Sequence, residues 1–243
     1  LAAHGISVNG PTRSGEAAPD GARTLARHDS MPLKELLIPF MKLSNNMHAE
    51  ILTKAMGVTT AGEGSWGAGL AATRAYLRGL DIDTAQLRQV DGSGLSRMDN
   101  VPADVFAQLL VQVRNEPWYN DWYNGLPVAC DPDRFVGGTL RSRMCDTPAA
   151  LNAHAKTGTL TGASALSGYV TDAGGRELVF SILLNNFLAS SVTSIQDAIV
   201  ATLASSSSDA AVAVPPKAVR GAGAASGAQG SGLECAWVKP LGC

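Results

Sequence analysis

Three consecutive segments, 153–158, 163–171 and 176–186, alternate apolar with polar residues or run apolar, and turn residues separate them. Between the second and third lies Asp172-Ala173-Gly174-Gly175, the composition of a β-hairpin loop. Strands joined by such short connections pair as an antiparallel meander, because a parallel neighbour needs a crossover of a dozen or more residues. A sheet must bury at least one face. The next stretch, 190–204, is an amphipathic helix able to cover it. This feature restricts the chain to an α+β fold, an antiparallel sheet flanked by helices.

The residues before the sheet read as helical. Ser30 offers a side-chain oxygen to a helix start, with Pro32 in the first turn. Leu33, Leu36, Leu37, Phe40 and Met41 follow at helical spacing, and that helix stops near Leu43. A second helix is expected over 47–56, ending at Gly57 as its C-cap. Further helices are expected over 66–79 and 102–115, the latter with Val105, Leu109 and Val113 on one face. They form an all-helical subdomain. Residues 89–94 read as a strand end entering a turn, 117–127 as an aromatic, turn-rich segment, and Thr147-Pro148 as the opening of a short helix. Ile6 to Val8 reads as a short strand. Residues 1–29 are taken as the end of a preceding accessory domain or a connecting segment, and 30–204 as part of one catalytic domain. From 205 the composition collapses into Ser, Ala, Gly and Pro, which cannot bury enough apolar surface to fold, so 205–243 reads as a disordered tail.

A net charge of -2 with no basic block excludes a nucleic-acid partner, since phosphate binding needs a basic surface. No apolar stretch approaches the roughly 20 residues that span a bilayer. Of the four cysteines, Cys130 and Cys145 flank a glycine-bearing loop and could close a disulfide, and Cys235 and Cys243 are a second candidate pair. Free thiols are the alternative, and the count does not choose between them. No C-x-x-C spacing is present and the four histidines are scattered, so no zinc site is expected.

The sharpest chemical signal is Lys156-Thr157-Gly158-Thr159 at the start of the first strand. A lysine ammonium at a strand edge supplies positive charge and hydroxyls donate hydrogen bonds, while a glycine lets a ligand approach the backbone. The pattern suits recognition of a peptide carboxylate. The bland alternative is a surface lysine followed by a turn. Ser44-Asn45-Asn46 is weaker by itself: about one S-x-N match is expected by accident in such a composition, and Ser7-Val8-Asn9 is another. Ser44 stands out by its place in a tight connection between two helices, where rigid elements can present a hydroxyl and an amide. An ordinary helix stop and N-cap is the competing reading.

In combination these motifs resemble the penicillin-recognising serine enzymes, whose S-x-x-K, S-D-N and K-T-G occur in that order. Longer stretches resemble one branch, the DacB-type class C low-molecular-mass penicillin-binding proteins. They are MKLSNNMHAEIL around Ser44, VDGSGLSR around Asp91, GGTLRSRM around Thr139 and AKTGTLTGASALSGYV around Lys156, within a resemblance that covers about residues 5–204. The resemblance implies a β-lactamase/transpeptidase-like fold and a serine-type D-alanyl-D-alanine carboxypeptidase or endopeptidase. Such an enzyme is exported to the periplasm or cell-wall space, acts on peptidoglycan stem peptides ending in D-Ala-D-Ala, binds β-lactams and uses no cofactor. It further implies that Ser44 passes a proton to the leaving nitrogen, and that Asn46 holds the substrate amide and helps position the catalytic lysine. Lys156 would tune Ser44 and attract the carboxylate. Thr157 and Thr159 would bind that carboxylate, beside Gly158, and the Thr159 N–H would serve as an oxyanion donor. Asp91, Ser93, Thr139 and Arg143 match family stretches without an implied catalytic role, and Asp91-Gly92 reads as turn chemistry.

One departure outweighs these matches: no serine in the chain is followed three residues later by lysine. In the family that serine is the acylated nucleophile. The expectation is therefore the C-terminal half of such an enzyme, with the nucleophile on a missing N-terminal segment or a companion chain. The isolated chain should then be inactive. A β-lactamase of the same fold and a non-catalytic truncated remnant are the alternatives.

Overall fold

In the computed structural model of the chain, residues 2–11, 15, 17 and 19–207 are described. The elements run α1 (Leu33–Leu43), α2 (Asn46–Ala61), α3 (Trp66–Gly79), α4 (Ala103–Gln112), α5 (Tyr119–Gly125), β1 (His154–Leu160), β2 (Ala163–Thr171), β3 (Glu177–Asn185) and α6 (Thr193–Ser205). The strands form the expected antiparallel meander in the order β1-β2-β3. Its hairpin turn is closed by the Asp172 carboxylate, which accepts from the Gly174 and Arg176 amides, while Gly175 takes a φ of 81°.

Alternation along β2 sends side chains to two different cores. Leu166 and Val170 pack with Phe180, Val200 and Ala204 under α6. Tyr169 packs with Met41, Leu110 and Leu126 among α1, α4 and α5. Its hydroxyl donates to the Leu110 carbonyl at 2.6 Å, which satisfies its polar end. A third core of Leu77, Ile82, Leu87 and Val105 holds the helical subdomain together.

Several local expectations are corrected. Ile6 and Val8 stand exposed without a strand partner, so the short strand does not form. Ser30 does not cap α1. The helix begins after Pro32, whose carbonyl accepts the first amides, those of Glu35 and Leu36. Gly57 does not end α2, which runs on to Gly62 at φ 70°. At Gly57 a Cβ would lie 2.9 Å from the Gly69 amide nitrogen, so this glycine lets α2 and α3 approach closely. Thr147-Pro148 opens hydrogen-bonded turns rather than a helix. The segment 117–127 contains α5, whose aromatic residues Tyr119 and Tyr123 pack edge-on and tilted against Tyr169. The expected tail and the Cys235–Cys243 pair lie outside the described residues, apart from residues 205–207.

Cys130 and Cys145 are disulfide-bonded, with Cα atoms 5.0 Å apart. Closing a loop of 15 residues restricts the unfolded chain by about 3 kcal/mol in the chain-entropy account. The double variant Cys130→Ala/Cys145→Ala is expected to lose about that much stability in urea unfolding. An unchanged midpoint would show that packing alone holds this loop.

Candidate active site

α1 ends where Ser44 adopts left-handed backbone angles, φ 54° and ψ 54°, which cost a non-glycine residue about 1 kcal/mol. The Asn45 amide returns to the Phe40 carbonyl, and the Asn45 side chain accepts from His48 N at 3.1 Å. Asn45, not Ser44, is thus the N-cap of α2. Freed of capping, the Ser44 hydroxyl turns to the sheet. It accepts from Lys156 Nζ at 2.6 Å, and the same ammonium donates to the Thr157 carbonyl at 2.6 Å. The two motifs, far apart in sequence, meet at one hydrogen bond.

Buried contacts fix that meeting. Lys42, two residues before Ser44, is only 3% exposed and donates its ammonium to the Leu126 carbonyl. The adjacent Pro127 carbonyl accepts from Ala155 N at 3.0 Å, and Val128 bridges to His154. The end of α1 is thereby tied to β1 immediately ahead of Lys156. Burial lowers the Lys42 pKa, against the attraction of Asp131. His154 is stacked on Tyr123 at 4.5 Å. Burial, followed by the charge of Lys42, brings it down to about 4, so it is neutral at physiological pH.

Ser44, Asn46, Thr139, Lys156, Thr157 and Thr159 line a cleft of about 940 Å³, which the loop from Gly92 to Arg97 also borders. That loop is held by carboxylates. Asp91 accepts from the Gly94 and Ser96 amides at 2.6 and 2.7 Å, which is the turn role expected of it. Glu50 of α2 accepts from the Gly92 and Ser93 amides at 3.1 and 3.0 Å and from Trp66 Nε1 at 2.7 Å. Burial would raise the Glu50 carboxyl, and the hydrogen bonds from Ser93, Trp66 and Gly92 outweigh it and hold the pKa below the usual value. Arg97 donates to the Thr161 carbonyl at 2.8 Å, so the loop reaches the β1–β2 turn.

The structure brings together Ser44, Asn46, Lys156, Thr157, Gly158 and Thr159 in this one cleft. Asn46 is exposed at the first turn of α2. Two residues, Glu50 and Lys42, have roles that the sequence reading misses, and a third gains one from the fold. Glu50 lies one helical turn beyond Asn46, a spacing that could have drawn notice. Lys42 looks like any polar position of an amphipathic helix. Thr139 was noticed without a role, yet its hydroxyl accepts from Thr157 Oγ1 at 2.9 Å. Among the described residues, no group of three His, Cys, Asp or Glu side chains could hold a metal ion. Lys156 is half-buried, and burial lowers its pKa to about 8. At neutral pH it is mostly protonated, yet close enough to neutrality to exchange a proton with the hydroxyl it touches.

Comparison with known proteins gives the family of the chain. The D-Ala-D-Ala carboxypeptidase 3 (S13) family matches residues 1–206. The chain belongs to that family. Among S13-like relatives, a D-alanyl-D-alanine carboxypeptidase of Actinomadura sp. (strain R39) is 46% identical over 98% of this chain and 44% of its own length. Carboxypeptidase DacB of Mycolicibacterium smegmatis is 34% identical over 76% of this chain and 40% of its own. Penicillin binding protein 4 (dacB) of Haemophilus influenzae, solved in complex with a β-lactam, superposes with a TM-score of 0.65 at 29% identity, covering 73% of this chain and 41% of that one. The S13 chain described here therefore spans less than half the length of the relatives it matches.

Proposed function

We propose that this chain supplies the proton-relay and carboxylate-binding side of a serine-type D-alanyl-D-alanine carboxypeptidase. The observation that carries the reading is Lys156 Nζ held 2.6 Å from Ser44 Oγ in the cleft, beside Thr157 and Thr159. In the complete enzyme, a serine of an S-x-x-K segment outside these 243 residues gives its hydroxyl proton to the lysine of that segment and attacks the penultimate D-Ala carbonyl of a stem peptide. The Thr159 N–H donates to the oxyanion. The C–N bond then breaks, and Ser44 passes a proton to the leaving nitrogen while Lys156 restores it. Free D-alanine departs, and water hydrolyses the acyl-enzyme. Asn46 holds the substrate amide, and the ammonium with the two threonines holds the terminal carboxylate. A β-lactam would occupy the same groove, as the β-lactam complex of the Haemophilus relative suggests. The Cys130–Cys145 disulfide supports work in an oxidising, exported location.

The isolated chain is expected to take no covalent label from fluorescent penicillin. The same chain, extended upstream by the S-x-x-K-bearing segment of an S13 relative, is expected to be labelled on that serine. It should also release D-alanine from an acyl-D-Ala-D-Ala peptide. Labelling of the isolated chain would refute the account of the nucleophile. A folded extended chain that neither binds penicillin nor releases D-alanine would refute the function.

A further inference from the structure

Thr139 sits in a single 3-10 turn, Gly138–Leu140, wedged between the end of α1 and β1. Two glycines let it lie there. A Cβ on Gly137 would overlap the Asp131 carbonyl oxygen, and one on Gly138, at φ 52°, would overlap the Lys42 carbonyl. Leu140, fully buried in the core beneath α6, anchors the far side of the turn. The backbone thus delivers the Thr139 side chain to one place, against Thr157.

The direction of the hydrogen bond decides what that contact does. Thr157 Oγ1 donates to Thr139 Oγ1 at 2.9 Å. A hydroxyl has one proton, so Thr157 uses its proton on Thr139 and presents only lone pairs elsewhere. Thr139, having accepted, keeps its own proton free in the cleft it lines. Lys156 likewise uses two of its three donors, on Ser44 and the Thr157 carbonyl. A carboxylate entering beside Lys156 needs donors, and lone pairs repel it.

We propose that Thr139 takes the donor role that the functional reading gives to Thr157: the Thr139 hydroxyl donates its proton to the terminal carboxylate of the peptide, beside Thr159, while Thr157 donates to Thr139 from behind. The proposal rests on the functional reading above, and it makes Thr139 a determinant of preference for a free C-terminus over an amidated one.

The test needs binding only, so the 243-residue chain suffices. N-acetyl-D-alanyl-D-alanine and its C-terminal amide are titrated by NMR against the wild type, Thr139→Val, Thr139→Ser and Thr157→Val. The wild type should prefer the acid. Thr139→Val should weaken acid binding about tenfold with amide binding unchanged, and Thr139→Ser should restore the preference. Thr139→Ala, read the same way, replaces the valine variant should that fail to fold. If Thr139→Val keeps the full preference and Thr157→Val loses it, Thr139 has no part in the subsite although the site reading stands. A wild type that does not distinguish acid from amide overturns both.

Discussion

Replacing Lys156 with methionine is expected to lower kcat/KM of the complete enzyme for D-Ala-D-Ala peptides by about 10³-fold or more, with the folded chain no less stable. The two halves of this expectation have one cause. Burial brings the Lys156 pKa to about 8 because a desolvated ammonium is disfavoured. Between about pH 8 and the ordinary lysine value, the unfolded chain holds a proton that the folded chain has released. Stability therefore rises with pH across that window, and below it the fold carries the cost of a buried charge. Methionine fills a similar volume without the charge, so thermal unfolding at pH 7 should be unchanged or shifted upward, and the difference from wild type should shrink near pH 10. Function moves the opposite way. The ammonium that donates to Ser44 Oγ is gone, and so is the positive charge that faces the carboxylate. Arginine should not rescue, because a planar fork cannot replace a compact ammonium pointed at both Ser44 and the Thr157 carbonyl. In the wild type, carboxylate binding should weaken as pH rises through about 8. A methionine variant retaining a tenth of the activity would show that Lys156 is not part of the chemistry.

The sheet and its covering helix were legible because their signals are local. Strand periodicity, a hairpin loop closed by Asp172 and the amphipathic pattern before Ser205 all lie within a few residues of what they determine. The Ser44 connection was legible for the same reason, as a polar interruption between two helical patterns. Non-local contacts were not. Gly57 reads as a helix end until α3 packs on it, and only the fold shows that its missing side chain makes room for Gly69. Lys42 has the spacing of a solvated residue, but the path from α1 to Leu126 buries it. Thr139 and Thr157 lie on different elements, and no spacing rule predicts that their hydroxyls meet. Family resemblance could point at the residues around Thr139, but the contact explains what one of them does.

Two glycines of the same sheet should respond oppositely to one added methyl group, and the contrast separates binding from folding. Gly168 lies in β2 opposite Ala155. A Cβ there would overlap the His154 carbonyl oxygen and lie 2.6 Å from Ala155 Cα, and backbone in the middle of a sheet cannot move aside. Gly168→Ala should cost about 3 kcal/mol or more and lower Tm by about 10 °C, or prevent folding altogether. Gly158, two residues beyond Lys156 on β1, faces no such obstacle. An added Cβ meets only the Ala165 methyl at an ordinary 3.5 Å. The fold therefore does not require glycine at that position, and alanine, with fewer unfolded conformations to lose, should leave Tm unchanged or slightly raised. What does require glycine there is a ligand running along β1, because the methyl would stand in the cleft where the peptide backbone lies. Gly158→Ala should accordingly fold like the wild type and bind N-acetyl-D-alanyl-D-alanine at least about tenfold more weakly. A stable Gly158→Ala chain with undiminished affinity would mean that the peptide does not run along β1, and the assignment of the carboxylate to the lysine–threonine edge would go with it.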